Sequence, residues 1–368
     1  MLEKYSKSLR ELVKRECFWQ FKNIKSANNK KIIIFTAGPT AQNFYFILKN
    51  ELDMDVEFFI DNNEELENKY ICGKIVKSLK SALSNNEING EGYLVLIPTS
   101  LKFYNQILTQ LDDAGVHSYI LASAFLVHKL WERFDKISKL LEDEVSKATY
   151  WGAIYSLITG NNNFIMHEPM PTYFGIKDFT LFDSDSAEII VDAGAYIGDT
   201  TEEYVKRSFG SAKVYAFEPF TELIKKLEQR KRRLCEEYAI DDNSIEIVPA
   251  GVGIQTETKR FYSIALGMLR ENENGDIILP IYSLDDYFSN KAPFTLLKAD
   301  VEGAEIGMLK GAKDIIRKNK PKLSLSIYHN LFDFVSMAEY IYSLVPDYRF
   351  YVRSHSYDYR DTVLYCII

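Results

Sequence analysis

Acidic and glycine residues follow an apolar run near the middle of the chain, in the sequence IIVDAGAYIGDT, which begins at Ile189. The run leads into Asp192, and Gly194 and Gly198 follow before a Thr pair opens a helical pattern. Strand, glycine turn and helix together are typical of a nucleotide-binding loop, because glycine lets the backbone approach a ligand and the helix start offers free N–H groups. A pyrophosphate would be repelled by Asp192, whereas an ammonium and a sulfonium would be attracted by it. The pattern therefore favours S-adenosylmethionine.

A second carboxylate, Glu218, ends the next predicted strand, about 26 residues after Asp192. A carboxylate in this place can accept hydrogen bonds from both ribose hydroxyls of a nucleoside. Pro219 removes a backbone donor and fixes the turn that follows. Either acid alone could be an ordinary acid at the edge of a loop, but with the two glycines they predict a cofactor site.

A third group of polar residues lies in the sequence LLKADVEGAEIGMLKGA, which begins at Leu296. Asp300 stands at the end of a predicted strand, and Glu302 and Glu305 open a helix. Acids in a first helical turn favour the helix dipole, which accounts for Glu305 but not for Asp300. His329 follows the next strand, and a neutral imidazole there could take the proton of a hydroxyl that attacks a methyl group.

These three segments give the catalytic candidates His329, Asp300 and Glu302. A nearby carboxylate is an alternative proton acceptor to His329. A divalent metal held by Asp300 and Glu302 could instead acidify the hydroxyl. The sequence offers no full set of metal ligands, so no metal site is predicted.

Strands alternate with helices on both sides of a helical stretch, and this alternation predicts two open parallel α/β sheets. We expect a Rossmann-like domain with an N-terminal helix at 1–122, a helical linker at 123–163, and a second α/β domain at 164–368. The first domain has predicted strands at 32–35, 56–60, 71–76, 93–97 and 117–121. The second has predicted strands at 189–193, 213–217, 245–248, 295–299 and 323–327, long helices at 221–237 and 303–318, and a hairpin from 348–353 and 362–368.

The loop of the first domain, in the sequence IIIFTAGPTAQNF, looks like the opening of a dinucleotide or nucleotide-sugar domain, with Asp61 after the second strand. Thr36, Pro39 and Thr40 replace the small residues that such a loop usually carries, and Pro39 also removes an amide donor. We therefore favour a structural or oligomerisation role for this domain over a nucleotide site.

Composition bounds the remaining choices. The chain has 368 residues, a net charge of −8 and 46% hydrophobic residues, which describe a globular protein without a basic surface for nucleic acid. No apolar run approaches the roughly 20 residues that span a bilayer, so the cytoplasm is the expected location. The cysteines form no CxxC pair, which argues against a zinc site or a disulfide framework. They are Cys17, Cys72, Cys235 and Cys366.

The second domain as a whole resembles the FkbM family of S-adenosylmethionine-dependent methyltransferases. The segments that carry the resemblance lie between about Tyr173 and the C-terminus and read VDAGAYIGDT, AFEP, VPAGVG, YSLDDYF, LLKADVEGAEIGMLKGA, KPKL, IYH and YRFYVRSHSYDYRDTVLYC. The resemblance implies a class I methyltransferase fold, a parallel sheet with a C-terminal antiparallel hairpin.

The resemblance also assigns residues. It places the cofactor loop at Asp192, Gly194, Ala195, Tyr196, Gly198 and Thr200. It places the ribose at Glu218 and Pro219, and the adenine near Ala250 and Gly251. It places the methyl-transfer side at Asp300, Glu302 and His329. Arg353 and His355 match the basic ending of the family, although RSH stands where a second His is expected directly after the first.

The expected activity is O-methylation of a hydroxyl on a sugar, a polysaccharide or a natural product, with S-adenosylmethionine as cofactor. Tyr173, Phe174 and the loop at 263–274 could line the acceptor pocket. Two alternatives remain: a catalytically degenerate scaffold or sensor that binds the cofactor, and a nucleotide-sugar or NAD-binding protein acting through the first domain. A homo-oligomer formed through the first domain is also possible.

Overall fold

The structure is a computed structural model, and it describes residues 1–22, 30–88, 92–99, 101–175, 188–265, 268–271 and 274–368. The chain divides into two compact units: residues 1–136 with 151–164, and residues 137–150 with 165–368. Among the described residues, no helix combines the length and apolar character needed to cross a membrane. The division into 1–122, 123–163 and 164–368 stays a prediction.

The first part of the chain begins with a long helix. Strands then alternate with helices, as the sequence predicts, and three consecutive helices follow. The elements are α1 Leu2–Lys22, β1 Lys31–Phe35, α2 Pro39–Glu51, β2 Val56–Ile60, β3 Tyr70–Ile71, β4 Lys74–Lys77, α3 Leu79–Ser84, β5 Tyr93–Ile97, α4 Leu101–Asp113, β6 Tyr119–Leu121, α5 Ala122–Lys129, α6 Trp131–Leu140 and α7 Glu144–Thr159. A short 3-10 turn covers Glu64–Leu66.

The sheet of the first unit has the strand order β3-β4-β2-β1-β5-β6. All neighbouring pairs are parallel except β3 with β4, which form a hairpin where the sequence predicts one short strand. The strands are apolar on both faces because helices cover both sides of a parallel sheet. α2 begins with Pro39, whose missing N–H costs nothing in the first helical turn.

The second unit contains the remaining elements. They are β7 Ile189–Ala193, α8 Asp199–Arg207, β8 Lys213–Phe217, α9 Thr221–Tyr238, β9 Ile245–Val248, β10 Gly251–Val252, β11 Glu257–Ala265, β12 Met268–Glu271, β13 Ile277–Tyr282, α10 Leu284–Tyr287, β14 Leu296–Ala299, α11 Glu305–Lys310, α12 Lys313–Asn319, β15 Lys322–Ser326, α13 Asp333–Leu344, β16 Arg349–Ser354 and β17 Thr362–Ile367. A 3-10 turn covers Asp242–Ser244.

The main sheet of the second unit has the order β16-β17-β15-β14-β7-β8-β9. β14, β15, β7, β8 and β9 pair in parallel, and β17 pairs antiparallel with both β15 and β16, which confirms the predicted hairpin. From β7 the chain proceeds to one side, through β8 and β9, and later returns to the other side at β14. The order therefore switches between β7 and β14, where ligands of open α/β sheets bind.

Two features of this unit differ from the sequence prediction. A second, four-stranded sheet, β10-β13-β11-β12, is present where no strands were predicted. The single helix predicted at 303–318 is two helices, α11 and α12, that meet at Gly311. A Cβ at this position would lie 2.0 Å from the backbone oxygen of Gly253, so this close approach of two backbones requires glycine.

Candidate active site

The glycine turn after β7 is built by backbone conformation. Gly194 and Gly198 both have positive φ angles, of 75° and 84°. A Cβ at position 194 would lie 1.8 Å from the backbone oxygen of Asp300, the residue that follows β14. Gly198 begins α8, and a Cβ there would lie 2.4 Å from Leu227 Cδ1. Glycine is therefore required at both positions, by conformation and by space.

Asp192 lies directly before this turn, is fully buried, and has protein partners for both carboxylate oxygens. Its Oδ1 is 2.9 Å from Lys298 Nζ, and its Oδ2 accepts a 2.7 Å hydrogen bond from the Thr201 hydroxyl. The sequence prediction had Asp192 attract a cationic ligand, directly or through water. In the structure its charge faces Lys298 instead, since the two residues are register partners on β7 and β14.

Lys298 connects this ion pair to the glycine turn. It is 2% exposed, and its Nζ donates to the carbonyl oxygens of Gly194, at 2.7 Å, and Ala193, at 3.3 Å. Burial alone would lower the pKa of Lys298, but the neighbouring Asp192 and Asp300 carboxylates outweigh it and raise this pKa. Asp192 therefore acts on the loop through Lys298, which orients the Gly194 carbonyl.

Glu218 lies at the end of β8 and holds the same loop from the other side. Its Oε2 accepts a 2.9 Å hydrogen bond from the Tyr196 amide, and its Oε1 a 2.9 Å bond from the Phe220 amide. Burial raises the pKa of Glu218 to about 6, although both amides and Lys298 oppose the shift. Each carboxylate oxygen has a second lone pair, so the group can still accept ribose hydroxyls.

The remaining cofactor candidates lie along the same edge of the sheet. Ala195 is buried and its amide donates to the Phe217 carbonyl at 2.9 Å, which fixes the start of the turn. Tyr196 has a φ of 51°, a left-handed backbone conformation that costs free energy at a residue other than glycine. Its side chain is 46% exposed and faces solvent. Thr200 and Pro219 are partly exposed.

The expected adenine segment follows β9. Ala250 is buried, and its amide donates to the Val248 carbonyl at 2.8 Å. Gly251 begins β10, and a Cβ there would lie 2.7 Å from Ile281 Cδ1. The structure therefore places this pair beyond the third parallel strand, on the Glu218 side of the loop.

Asp300 follows β14 and is held by two tyrosines. Its Oδ2 accepts a 2.9 Å hydrogen bond from the Tyr173 hydroxyl, and its Oδ1 a 3.1 Å bond from Tyr328. The Tyr173 hydroxyl also lies 2.8 Å from the Ser326 hydroxyl at the end of β15. Burial and the Asp300 charge raise the pKa of Tyr173 well above its usual value, so it stays a hydrogen-bond donor. Tyr173 therefore belongs to this site rather than to an open pocket wall.

His329 lies among three carboxylates. Its Nδ1 is 3.0 Å from Glu305 Oε1, and its Nε2 is 3.4 Å from Asp300 Oδ1 and 3.6 Å from Glu302 Oε2. Burial lowers the pKa of His329, but the hydrogen bond to Glu305 and the three negative charges outweigh it and raise this pKa to about 9. His329 therefore carries a proton near neutral pH, in contrast to the neutral imidazole that the sequence prediction used.

Glu305 and Glu302 differ in their settings. Glu305 is 1% exposed, and its Oε1 also accepts a 2.9 Å bond from the Val301 amide, so it does more than favour a helix dipole. Glu302 has a φ of 55° and a half-exposed side chain. A left-handed backbone conformation at a residue other than glycine costs free energy, and such residues are often found at functional positions.

Arg353 and His355 are occupied by protein groups. The Arg353 guanidinium is 3% exposed and contacts Asp143 Oδ2 at 2.6 Å and Glu168 Oε2 at 3.3 Å. His355 Nε2 lies 2.6 Å from the Tyr365 hydroxyl, and its Nδ1 lies 2.8 Å from the Met170 carbonyl. Both residues stabilise the hairpin end of the sheet. Of the loop at 263–274, residues 266, 267, 272 and 273 lie outside the described residues.

The structure brings the predicted site residues to one edge of the main sheet, around the switch between β7 and β14. The sequence prediction missed Lys298, Tyr328 and Thr201 and underrated Glu305. A charged residue inside the apolar strand sequence LLKA was the signal for Lys298, because a buried lysine needs a buried acid. The other three had no clear signal, since tyrosine, threonine and first-turn acids are common.

Comparisons with known proteins identify two domains in the chain. Residues 192–360 match the family model of the methyltransferase FkbM domain, and residues 28–121 match that of the C2185-like N-terminal domain. Comparison with curated protein sequences gave no match. The fold is that of a class I methyltransferase. More particularly, residues 192–360 belong to the methyltransferase FkbM domain family, which confirms the resemblance seen in the sequence.

One solved structure shows the same architecture along the whole chain. Methyltransferase FkbM from Methylobacillus flagellatus KT aligns with a TM-score of 0.58 at 19% identity, over 100% of this chain and 99% of that chain. Two others align over about half of this chain with much lower scores. They are fibrillarin from Aeropyrum pernix with natively bound S-adenosyl-L-methionine (TM-score 0.31, 11% identity, 50% of this chain and 69% of that chain) and spermidine synthase from Thermotoga maritima (TM-score 0.29, 12% identity, 49% and 52%).

Proposed function

We propose that this methyltransferase moves the methyl group of S-adenosylmethionine to a hydroxyl oxygen of a sugar, a polysaccharide or a natural product. The observation that carries the proposal is the convergence of the glycine turn, Glu218 and the Asp300–His329 group on one edge of the sheet. The first two suit the nucleoside part of the donor. The third suits the acceptor hydroxyl and its proton.

The donor side rests on backbone shape and one carboxylate. Gly194 and Gly198 remove side chains where the backbone must pass close to a ligand, and α8 begins directly behind them. Glu218 offers lone pairs to the ribose hydroxyls while the Tyr196 and Phe220 amides hold it in place. The Asp192–Lys298 ion pair supports the loop and carries no net charge.

The acceptor side must position an oxygen and remove its proton. In the transfer, the bond from the methyl carbon to oxygen forms as the bond to sulfur breaks, and the donor leaves as neutral S-adenosylhomocysteine. The hydroxyl proton passes to a base of the protein. Asp300 is one candidate base, while His329 can act as base only after losing the proton that its three carboxylate neighbours stabilise. Arrival of the sulfonium cation near this group favours that loss.

A surface near the hairpin supports a sugar as acceptor. Tyr357 is 81% exposed in the loop between β16 and β17, and its ring stacks on His167 with centroids 4.7 Å apart and planes 10° apart. Asp361 ends the same loop, and the charge of Asp300 contributes to the raised pKa of Asp361, so the two groups are near neighbours. The flat, exposed pair of Tyr357 and His167 offers a face on which a sugar ring can stack.

The donor half of the proposal is tested by calorimetry with S-adenosylmethionine and S-adenosylhomocysteine on Glu218→Gln. A glutamine keeps one acceptor but turns an N–H toward a backbone amide, so we expect at least tenfold weaker binding, about 1.4 kcal/mol. Glu188→Gln is the matched control, because Glu188 is equally buried, at 2% against 4%, at the opposite end of the same sheet. Equal donor affinity of wild type and Glu218→Gln would contradict the proposal.

The acceptor half is tested by incubating the full chain with a donor carrying a deuterated methyl group and a set of sugars, polysaccharides and natural products. We expect labelled methyl ethers and equimolar S-adenosylhomocysteine, with turnover reduced at least a hundredfold in Asp300→Asn. Donor binding without transfer to any hydroxyl would favour the scaffold or sensor alternative. Transfer to nitrogen or carbon alone would exclude O-methylation.

A further inference from the structure

We propose that Asp300, Glu305 and His329 form a binding site for one divalent transition-metal cation of the Mn²⁺ or Zn²⁺ kind. Each of the three residues has a potential ligand atom, and these atoms lie within 4.8 Å of one another. Among the described residues, no other group of three or more such side chains is placed to hold a metal ion. The site shares Asp300 with the pair of Asp300 and Glu302 that the sequence suggested, and adds Glu305 and His329.

The spacing of the ligand atoms suits a cation. His329 Nδ1 lies 3.0 Å from Glu305 Oε1, and His329 Nε2 lies 3.4 Å from Asp300 Oδ1. Ligands that bind a metal at about 2.0–2.2 Å are themselves separated by roughly 3 to 3.5 Å. These two distances involve different ring nitrogens, but one ligand atom from each of the three side chains lies within 4.8 Å of the other two, so a shift of the imidazole would let one nitrogen and two oxygens reach the same ion.

Glu305 supplies an independent indication. Its side chain is 1% exposed, its Oε1 accepts from the Val301 amide, and its Oε2 is buried without a hydrogen-bond partner among the described residues. A buried carboxylate oxygen that lacks a donor costs free energy, because the water it lost is not replaced. Glu305 Oε1 touches His329 Nδ1, so the unpartnered oxygen belongs to the same cluster and a bound cation would satisfy it.

The negative charge around the cluster also favours a bound cation. Three carboxylates contact the single imidazole: Asp300, Glu302 and Glu305. Lys298, whose charge also acts on Asp300, is paired with Asp192. Partly buried carboxylates are stabilised by pairing or by coordinating a metal, and one imidazolium does not balance three of them.

Neighbouring side chains hold one of the three proposed ligands in a fixed orientation. Tyr173 and Tyr328 donate to Asp300 and fix the direction of its carboxylate. Glu302 Oε2, at 3.6 Å from His329 Nε2, can serve as a fourth donor from its left-handed backbone position.

One imidazole with carboxylates favours Mn²⁺ or Zn²⁺ over Mg²⁺ and Ca²⁺, which prefer oxygen ligands alone. Bound there, the cation would acidify the acceptor hydroxyl and replace the imidazole proton. Only this use of the metal rests on the proposed function; the binding itself does not.

The test is a titration of the full chain, stripped with EDTA and desalted, with MnCl₂ alone, in which electron paramagnetic resonance reports free Mn²⁺ and ZnCl₂ then competes. We expect one ion per chain, binding at least tenfold weaker in Glu305→Gln and in His329→Ala, and unchanged binding in the control Glu188→Gln. Circular dichroism melts identify variants that fold, and Glu305→Asp, which retains a carboxylate, should recover part of the affinity.

Absence of stoichiometric binding at millimolar MnCl₂ overturns the inference, and so does equal binding by wild type and Glu305→Gln. Binding that survives in folded His329→Ala shows an adventitious site and also overturns it. Donor affinity is measured in the same stripped protein. Loss of metal binding with donor binding intact removes only this inference, whereas metal binding without donor binding removes only the proposed function.

Discussion

The turns after β1 and after β7 are two versions of one design in the same chain. In each, an acid directly after the next strand accepts from one backbone amide of the turn and from the amide two residues further along its own loop. Asp61 accepts from the amides of Ala37, at 2.7 Å, and Asn63, at 2.8 Å. Glu218 does the same for its own turn, so this carboxylate by itself does not distinguish a cofactor site from a structural turn.

The strands beneath the two turns are what differ. The next-to-last residues of β7 and its neighbour β14 are Asp192 and Lys298, a buried ion pair. The equivalent residues of β1 and β5 are Ile34 and Leu96, both fully buried. A buried ion pair stabilises less than apolar residues of similar size unless it does something further. Here it orients the Gly194 carbonyl, and the comparison indicates that the charged version is the one built for a ligand.

The largest effect is expected from Lys298→Met. Asp192 would then remain buried and unpaired, which should lower the free energy of unfolding by about 3–5 kcal/mol and abolish measurable donor binding. Urea unfolding and calorimetry measure the two effects. The control is Lys320→Met, which removes an exposed ion pair with Asp347 and should change stability by less than about 1 kcal/mol.

The double variant Asp192→Ile with Lys298→Leu copies the β1 and β5 residues. It should recover most of the lost stability, because apolar residues replace both charges, but not the donor affinity. Recovery of donor binding would show that the ion pair has no role in the loop.

A second effect distinguishes the two glycine turns. Gly194→Ala places a Cβ 1.8 Å from a backbone oxygen at a φ of 75°, so the turn must move, and we expect donor affinity to fall at least a hundredfold. The counterpart Gly38→Ala meets no atom within 4 Å and has a φ of −71°. It should change donor affinity by less than about twofold and the free energy of unfolding by less than about 0.5 kcal/mol. A strong loss of donor affinity in Gly38→Ala would make the two turns equivalent.

The pH dependence of donor binding is expected to follow Glu218. Its pKa is about 6 because burial disfavours the charge. Ribose hydroxyls donate to the ionised form, so donor affinity should fall as pH drops below about 6, by at most tenfold per pH unit. The contribution to folding has the opposite sign, since the raised pKa stabilises the folded state below the usual value of 4.5 and this stability is lost as pH rises through about 6. Calorimetry between pH 5 and 8 should show a step that Glu218→Gln lacks.

The smallest effect is expected from Asp61→Asn in the first turn. Asparagine keeps one acceptor oxygen for Ala37 or Asn63 and loses the other, which should cost about 1 kcal/mol in urea unfolding. Donor affinity should not change, and neither NAD(H) nor a nucleotide sugar should bind wild type in calorimetry. Saturable binding of either that Asp61→Asn weakens would revive the nucleotide alternative for this domain.

Much of this architecture follows from local pattern. Apolar runs bounded by glycine and polar residues gave β7, β8 and β9 with their observed limits, and two β-rich runs gave the terminal hairpin. The site candidates followed because the carboxyl ends of parallel strands meet at one edge. The four-stranded sheet from 251 to 282 was missed because its strands mix polar and apolar residues, and the break at Gly311 because a single glycine does not reveal which backbone lies against it.

Residue type and spacing therefore determined by themselves the two parallel sheets, the glycine turn, and the acids and histidine at its edge. Tertiary structure alone decided the charge state of that edge. It paired Asp192 with Lys298, placed Glu305 under His329, and added the hydroxyls of Tyr173 and Tyr328 to Asp300. The reason is physical: whether a carboxylate attracts a ligand, holds a loop or binds a metal depends on its burial and on the charges within a few ångströms, and different segments of the chain supply these.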